Sequence, residues 1–428
     1  MARATKTGGR DATQGVILGR FAISVGKPDG VTPEGFSWVP LSDVARLESG
    51  HTPSRRVEEY WDGGVPWIGI RDATGNHGRT IYDTEQHVTQ AGLDNSSARL
   101  LPAGTVCLSR TASVGYVVSM GVPMATSQDF VNWVCGSELN SKYLHYALVL
   151  EQESIRRFSH GSTHQTMYYP EAKALHLLAP GRAKQDAIVE VLEALDDKIA
   201  ANTRLVTTLG QLADAYFVDA GVQSSVSDLT FADVADVGGG GTPKTKIAEY
   251  WGGEINWATP TDVTALHGPY LTSTSRRITQ AGLDNCPSVL YPTGSILMTS
   301  RATIGAFAVA QKPMAVNQGF IVVNSKGDVP QWWLFHEMRR RVPEFVSHAN
   351  GATFLELSRG KFKNFHIHLA SSDIMQNFAD TADALHRRAE AAERESASLA
   401  DTRDALLPLL MSGRVTVNDA ESVVEGVA

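Results

Sequence analysis

The heptapeptide Thr89-Gln-Ala-Gly-Leu-Asp-Asn95 is written a second time, letter for letter, as Thr279-Gln-Ala-Gly-Leu-Asp-Asn285. Such a run does not recur by chance in 428 residues, so the chain contains a repeat whose offset is 279 minus 89, or 190. At that offset Leu41-Ser-Asp-Val-Ala45 falls on Phe231-Ala-Asp-Val-Ala235, Thr52-Pro53 on Thr242-Pro243, Glu59-Tyr-Trp61 on Glu249-Tyr-Trp251, and Trp67 on Trp257. Asp72 meets Asp262, Pro102 and Gly104 meet Pro292 and Gly294, and Val114-Gly115 meets Ile304-Gly305. Pro123-Met-Ala125, Gln128, Phe130, Gly161, Thr163 and His176 find Pro313-Met-Ala315, Gln318, Phe320, Gly351, Thr353 and His366 without a gap. The period is too long for a solenoid, whose repeats run ~20–50 residues. Each copy is large enough to hold its own core. Two similar domains related by something close to a two-fold axis are expected.

Each copy has a front and a back. The fronts, residues 40–180 and 230–370, mix short β-rich segments with turns. "GTVCLS" and "GSILMTS" read as strands after a Pro/Gly turn, as do "FVNWVC" and "FIVVNS". The heptapeptide itself reads as a scaffold helix: Thr as N-cap, a single turn packing Leu93 or Leu283 inward, and Gly and Asn to stop it.

The backs are helical. Ile188, Leu192, Leu195, Ile199, Asn202, Val206, Leu209, Ala213 and Tyr216 alternate by fours and threes, the spacing of a coiled-coil seam. At ~1.5 Å per residue such a segment is a rod of roughly 50 Å. Met375, Phe378, Ala382, Leu385, Ala389, Ala392, Ser396 and Leu399 repeat the pattern with smaller residues. Half-polar seams seldom stand alone, so the two rods should pack antiparallel and hold the fronts apart, with Asn202 setting register at some cost in stability.

Composition bounds the function. Apolar residues make up 43% and charged residues 20%, a globular rather than a disordered or fibrous balance. No apolar run approaches the ~18–20 residues of a membrane span. The opening carries Arg and Lys without the apolar block of an export signal. Cys107, Cys135 and Cys286 are odd in number, widely separated and outside any CxxC pair, which suits a reducing cytoplasm and indicates neither disulfides nor zinc. Catalytic signatures fail in turn. There is no GxxxxGK; "HEMRR" at 336–340 lacks the second His of HExxH; and Gly238–Gly241 runs into Thr-Pro, a turn rather than GxGxxG. The chain contains no Pro-Pro, so the Asp/Asn-Pro-Pro-aromatic motif of an adenine methyltransferase is missing. His366 and His368 alternate on one strand without a partner in metal-ligand spacing.

With the pieces assembled, the chain resembles the specificity subunit of Type I restriction-modification systems. The resemblance rests on "SWVPLSDVARLESGHTPS" and "LTFADVADVGGGGTPK" opening the halves, on "EYWDGGVPWIGIRD" and "EYWGGEINWATPTD", and on "SRTASVG" and "SRATIG". "ALLPLLMSGRVTV" after the second rod completes it, so that Phe36 to Val417 are covered. It implies tandem α/β (α+β) target-recognition domains, separated by two long antiparallel coiled-coil helices with pseudo-two-fold symmetry. Each domain would read half of a split, asymmetric site on double-stranded DNA. The helices would form the spacer and dock two adenine-specific methyltransferase subunits, with motor-nuclease restriction subunits as an optional addition. S-adenosylmethionine, ATP and magnesium would belong to those partners; this chain would hold no cofactor and no metal and would not be an enzyme. The setting implied is the prokaryotic cytoplasm. The expected organisation is a loose extension over 1–36, a target-recognition domain over 37–180, and a central spacer helix over 181–219, the family's first conserved region. A second target-recognition domain over 220–370, a C-terminal spacer helix over 371–412 (the second conserved region) and a tail over 413–428 follow. Two readings compete: a two-headed adaptor that binds protein without DNA preference, and a fused restriction-modification enzyme that has lost its catalytic half.

Net charge is −8, which speaks against phosphate binding, but the acid is unevenly placed. Residues 231–370 carry 13 Lys and Arg against 10 Asp and Glu, whereas residues 41–180 carry 11 against 14, so the first front should lean on its partners for phosphate contact. Arg reads guanine best, Asn and Gln adenine, and Ser and Thr either. Candidates beside turns and strand ends are Arg71, Ser109, Arg110, Gln128, His164 and Gln165 in the first front. In the second they are Lys244, Lys246, Ser300, Arg301, Asn317, Gln318, Arg359 and Lys361. Gln128 and Gln318 serve equally well as backbone caps. Arg55 and Arg56 read as plain surface, Trp67 and Trp257 as core, and Arg339–Arg341 as helix surface or phosphate clamp.

Overall fold

A computed structural model describes residues 15–111, 113–159, 165–351 and 355–426. The chain divides into two compact units, Met1–Asp197 with Leu399–Ala428, and Lys198–Ser398.

In the first unit a five-stranded sheet has the order Ala45–Ser49, Phe130–Cys135, Val106–Ser109, Val117–Met120, Arg79–Ile81. Its inner strands Val106–Ser109 and Val117–Met120 are buried at every position, their serines included. A three-stranded sheet sets Trp61–Ile68 between Ala125–Thr126 and Gln86–Val88. The second unit repeats both sheets strand for strand: Ala235–Gly238, Phe320–Ser325, Ile296–Arg301, Thr303–Ala310, Tyr270–Leu271, and then Trp251–Ala258 between Arg277–Ile278 and Met314–Val316. Even the register carries over: Trp67 pairs with Ala125 and Trp257 with Ala315.

The repeated words explain one another. Thr89 and Thr279 cap the helices Gln90–Asp94 and Gln280–Asp284 by accepting the Gly92 and Gly282 amides at 3.1 Å. The same hydroxyls donate to the Glu59 and Glu249 carbonyls at 2.7 and 2.8 Å, so each heptapeptide is bolted to its Glu-Tyr-Trp. Gly92 does not stop the helix, as its sequence suggested; Asn95 ends it. Gly92 is required because a Cβ there would stand 2.6 Å from the Tyr60 carbonyl oxygen, and Gly282 is held against Tyr250 in the same way.

Within the stretch expected as a loose extension, Ile17–Leu18 and Ile23–Val25 form strands, the second paired with Leu175–Pro180, which also pairs with Phe36–Pro40. The buried Glu151 carboxylate organises the turn between them, accepting the amides of Arg20, Phe21 and Ala22 at 2.8, 2.5 and 2.7 Å. The second unit has the matching pair Ser225–Thr230 with His366–Leu369. Opposite Glu151 in the repeat stands Arg341. It is buried among Glu337, Glu344 and the His366 carbonyl, so it belongs to the core rather than to a helix surface or phosphate clamp.

Two helices of 40 residues each, Arg182–Gly221 and Ser372–Met411, are divided between the units, residues 182–197 and 399–411 belonging to the first and 198–221 and 372–398 to the second. In the second unit they run antiparallel, since Asn202 donates to Glu395 at 2.8 Å while Phe217 meets Phe378 at 5.2 Å. Ile188, Leu192, Leu195, Asn202 and Val206 are buried; Ile199 and Leu209 are half-buried. Past Ala213 the seam takes Phe217 and leaves Tyr216 48% exposed, because two successive steps of four keep pace with the 3.6-residue turn better than a step of three. In the partner helix Phe378 and Leu399 are buried and Leu385 half-buried, the core position beside Leu385 being His386 at 2% exposure.

Each front is fastened to its helices by polar groups at equivalent positions. In the first unit the Tyr146 hydroxyl donates to Asp196 at 2.7 Å, and Asp196 also receives Arg403 at 2.6 Å. In the second unit, positions 146 and 196 become His336 and His386. Tyr270 donates to His386 Nδ1 at 2.7 Å, the two Nε2 atoms lie 3.0 Å apart, and His336 Nδ1 meets Asp214 at 2.7 Å. One arrangement satisfies every group: Asp214 accepts from His336 Nδ1–H, whose free Nε2 accepts from His386 Nε2–H. Both rings are then neutral. Burial pushes both pKa values down, and for His386 the adjoining His336 and Arg339 push further.

Candidate nucleic-acid interface

On each front one loop, residues 51–56 and 241–246, gathers the polar groups of interest. Its floor is the tryptophan pair. Trp67 is 4% and Trp257 3% exposed, and their indole N–H groups donate to the His51 and Gly241 carbonyls at 3.1 and 3.0 Å. Trp61 stands edge-on to Trp67 with centroids 5.2 Å apart; Trp251 and Trp257 do the same at 5.1 Å. The repeated aspartates brace the neighbouring turns: Asp72 accepts the Gly69 and Glu85 amides, and Asp262 those of Thr259 and Ser275. Burial alone would raise the Asp262 carboxyl, but the hydrogen bonds from Thr259 and Ser275 outweigh it and hold the pKa below the usual value.

Of the candidate readers, Gln128 and Gln318 lie at the loop. Each accepts from a repeated threonine, Thr52 or Thr242, the latter at 2.6 Å, so both work as struts while remaining exposed. Arg110 joins the first group, its Nε donating to the Gln128 carbonyl at 3.1 Å and its guanidinium lying 5.1 Å from the Tyr169 ring centre. Asn317 folds back to accept the Gly319 amide at 2.8 Å. Lys244 and Lys246 are exposed on the second loop, where the Lys244 carbonyl accepts from Trp251. Arg359 is exposed with its stem against Gly239.

Other candidates sit apart or inside. Ser109 and Ser300 are buried: the Ser109 hydroxyl accepts the Tyr116 amide at 2.8 Å, and the Ser300 backbone bonds Gly319 and Leu357. Arg301 is exposed but tied through Nη2 to both Glu356 oxygens at 2.9 Å. Arg71 meets Glu85 at 3.4 Å, Lys361 donates to the His348 carbonyl at 2.7 Å, and Gln165 is exposed. His164 lies outside the described residues.

Sequence reading set Arg55 down as plain surface and did not single out Arg276. The Arg55 guanidinium lies 3.8 Å from the Trp61 ring centre and that of Arg276 3.6 Å from Trp251. Offset pairing could not bring them together, because they occupy different positions of the repeat. Among the described residues no three His, Cys, Asp or Glu side chains cluster closely enough to hold a metal ion, and no helix is long and apolar enough to cross a membrane.

Twin sheets of one strand order, with the tandem helices that follow them, define a duplicated recognition-domain architecture. The model of the Type I restriction modification DNA specificity domain matches residues 33–210 and again 225–399, and the chain belongs to that family. Over 149 residues it is 37% identical to the Type I restriction enzyme MjaIX specificity subunit of Methanocaldococcus jannaschii, a match covering 34% of either chain. The Type I restriction enzyme EcoR124I/EcoR124II specificity subunit of Escherichia coli is 25% identical over 167 residues, 37% of this chain and 40% of the relative. The chain thus matches well under half the length of these curated relatives. In fold it is similar to the S subunit of a Type I restriction-modification system from M. genitalium, with a TM-score of 0.57 at 15% identity over 89% of this chain and 99% of the other.

Proposed function

We propose that this chain is the non-catalytic DNA-recognition subunit of a Type I restriction-modification complex. Its fronts, residues 37–180 and 220–370, each read one half of a bipartite, asymmetric DNA target. The paired long helices serve as spacer and as docking surface for two adenine-specific methyltransferase subunits, and restriction subunits would join through them. S-adenosylmethionine, ATP and magnesium would be used by those partners rather than by this chain.

The observation that carries the reading is divergence on a shared frame. Strand order, register, tryptophan pair and threonine–glutamine strut are common to both fronts. The side chains around that frame are not: half-buried Arg110 stands opposite buried Ser300, buried Ser127 opposite half-buried Asn317, Asp129 opposite Gly319, and half-buried Tyr169 opposite exposed Arg359. Two frames of one shape bearing different donors suit two different half-sites, because base edges, unlike phosphates, must be matched by particular side chains. Methylation mapping of a host genome carrying this chain and its methyltransferase tests it. The expected result is a two-part motif with a fixed unspecified gap; replacing residues 37–180 by those of a relative should change one part alone. Methylation without a motif, or a swap altering both parts, contradicts the assignment.

A further inference from the structure

The tryptophan pair carries a guanidinium in both fronts, and the two come from different places. Arg55 lies 3.8 Å from the Trp61 centre and 5.2 Å from that of Trp67; Arg276 lies 3.6 Å from Trp251 and 5.5 Å from Trp257. At the offset of 190, Arg55 corresponds to Thr245 and Arg276 to Gln86. Positions 55 and 86 are neighbours, Arg55 donating to Gln86 at 2.8 Å. One front is therefore Arg/Gln and the other Thr/Arg at one adjoining pair of positions, and the charge reaches the corresponding ring from two different segments of the front.

Packing alone does not account for this exchange. Covering a half-exposed indole needs apolar or amphipathic surface, which Lys, Gln, Met or Leu supplies equally. What both fronts keep is a planar cation, the shape that stacks best on an indole and leaves its N–H edge facing outward. Among the described residues neither guanidinium forms an ion pair with a carboxylate, although Arg71, Arg301 and Arg403 do. Both arginines are exposed. The loop holding Arg55 also holds Thr52, strut of Gln128, and Arg276 covers the tryptophan whose N–H binds the Lys244 carbonyl.

The geometry points to Arg55 and Arg276 as backbone clamps, each holding a phosphate of its own DNA half-site and reading no base. This inference rests on the DNA-reading assignment and deepens it. Two fronts with different targets share only the sugar-phosphate chain, so a group required in both is one that carries no sequence information. Stacking fixes the guanidinium beforehand, leaving less side-chain freedom to lose on binding. It also gives the acidic first front a fixed cation of its own.

The test uses the full chain with its methyltransferase, measuring binding to the mapped target duplex and to an unrelated duplex across a salt series. Arg55→Gln and Arg276→Gln, singly, should weaken both duplexes by the same factor, about 5- to 10-fold. Each should lower the steepness of log K against log salt by ~0.9, the value of one phosphate contact, and leave the methylated motif unchanged. The decisive variant transplants the second front's arrangement into the first: Arg55→Thr with Gln86→Arg should regain wild-type affinity and salt slope. An unchanged slope in the single variants, an altered motif, or a folded double variant that stays weak overturns the clamp. A wild-type complex showing neither a motif nor salt-dependent binding would instead sink the DNA reading and the clamp with it.

Discussion

Acid should loosen the second unit at its histidine pair. His336 and His386 face each other through Nε2 at 3.0 Å, closed in by Asp214, Tyr270, Arg339 and the Trp332 ring stacked 3.8 Å from His386. A proton added to either ring turns an acceptor into a second donor and sets two N–H groups against each other. Both rings are neutral in the fold and titrate near 6.5 when unfolded, so their stabilising effect is complete above about pH 6.5 and is lost as pH falls below it. Each ring costs ~1.4 kcal/mol per pH unit while the pH stays above its folded value. From 6.5 to 5 that is ~2 kcal/mol for His386, whose folded value lies at about 3, a large share of a typical ~5–15 kcal/mol; His336, also lowered by burial, acts in the same direction. Hydrogen exchange of peptides spanning Gln331–Arg340, followed from pH 7.5 to 5 and corrected for intrinsic rates, reads the local free energy. His386→Gln supplies the comparison, since an amide can bridge Tyr270 and His336 without titrating. The variant should show a pH slope shallower by ~1.4 kcal/mol per unit below pH 6.5. Equal slopes would refute the neutral-pair argument, and so would a wild type that gains protection in acid.

Other substitutions probe the remaining fastenings. Glu151→Gln removes the carboxylate beneath the Arg20–Ala22 turn and should cost ~2–3 kcal/mol, seen as faster amide exchange at Phe21 and Ala22 with little change in the second unit. Gly92→Ala pushes a Cβ against the Tyr60 carbonyl and should cost ~1–3 kcal/mol by thermal unfolding, while Ala91→Ser, at a half-buried position of the same turn, should cost less than ~1 kcal/mol. Asp196→Ala strands the Tyr146 hydroxyl and leaves Arg403 with Asp404 as its carboxylate partner; a loss of ~1–3 kcal/mol is expected, and Tyr146→Phe in the same background should recover part of it.

Much of the frame was legible because a duplication checks itself. A strand signal that is ambiguous once becomes firm when it recurs 190 residues later, as "FVNWVC" and "FIVVNS" did in Phe130–Cys135 and Phe320–Ser325. Seam periodicity survived for the same reason, failing at Tyr216, where a heptad count was carried past the point at which a straight helix drifts from it. His386 was hidden beside Leu385, since a polar residue does not announce itself as core until its partners on other elements are known. The surface was legible only by residue type. Ser109 and Ser300 have the chemistry of readers, yet their side chains are buried within their own strands. Arg55 was read as plain surface and Arg276 went unnamed because position-by-position comparison rewards identity, and here a group is kept while its address moves.

The first unit is completed by Leu399–Ala428, whereas the second runs unbroken from Lys198 to Ser398. On the ribosome the order of finishing is therefore reversed: the earlier-begun unit must wait for Leu399–Ala428, which are made after the whole of the later one. A message broken at the codon for Ser398 would yield a sound second unit and a defective first one, and quality-control proteases should find their foothold in the first unit, far in sequence from the break.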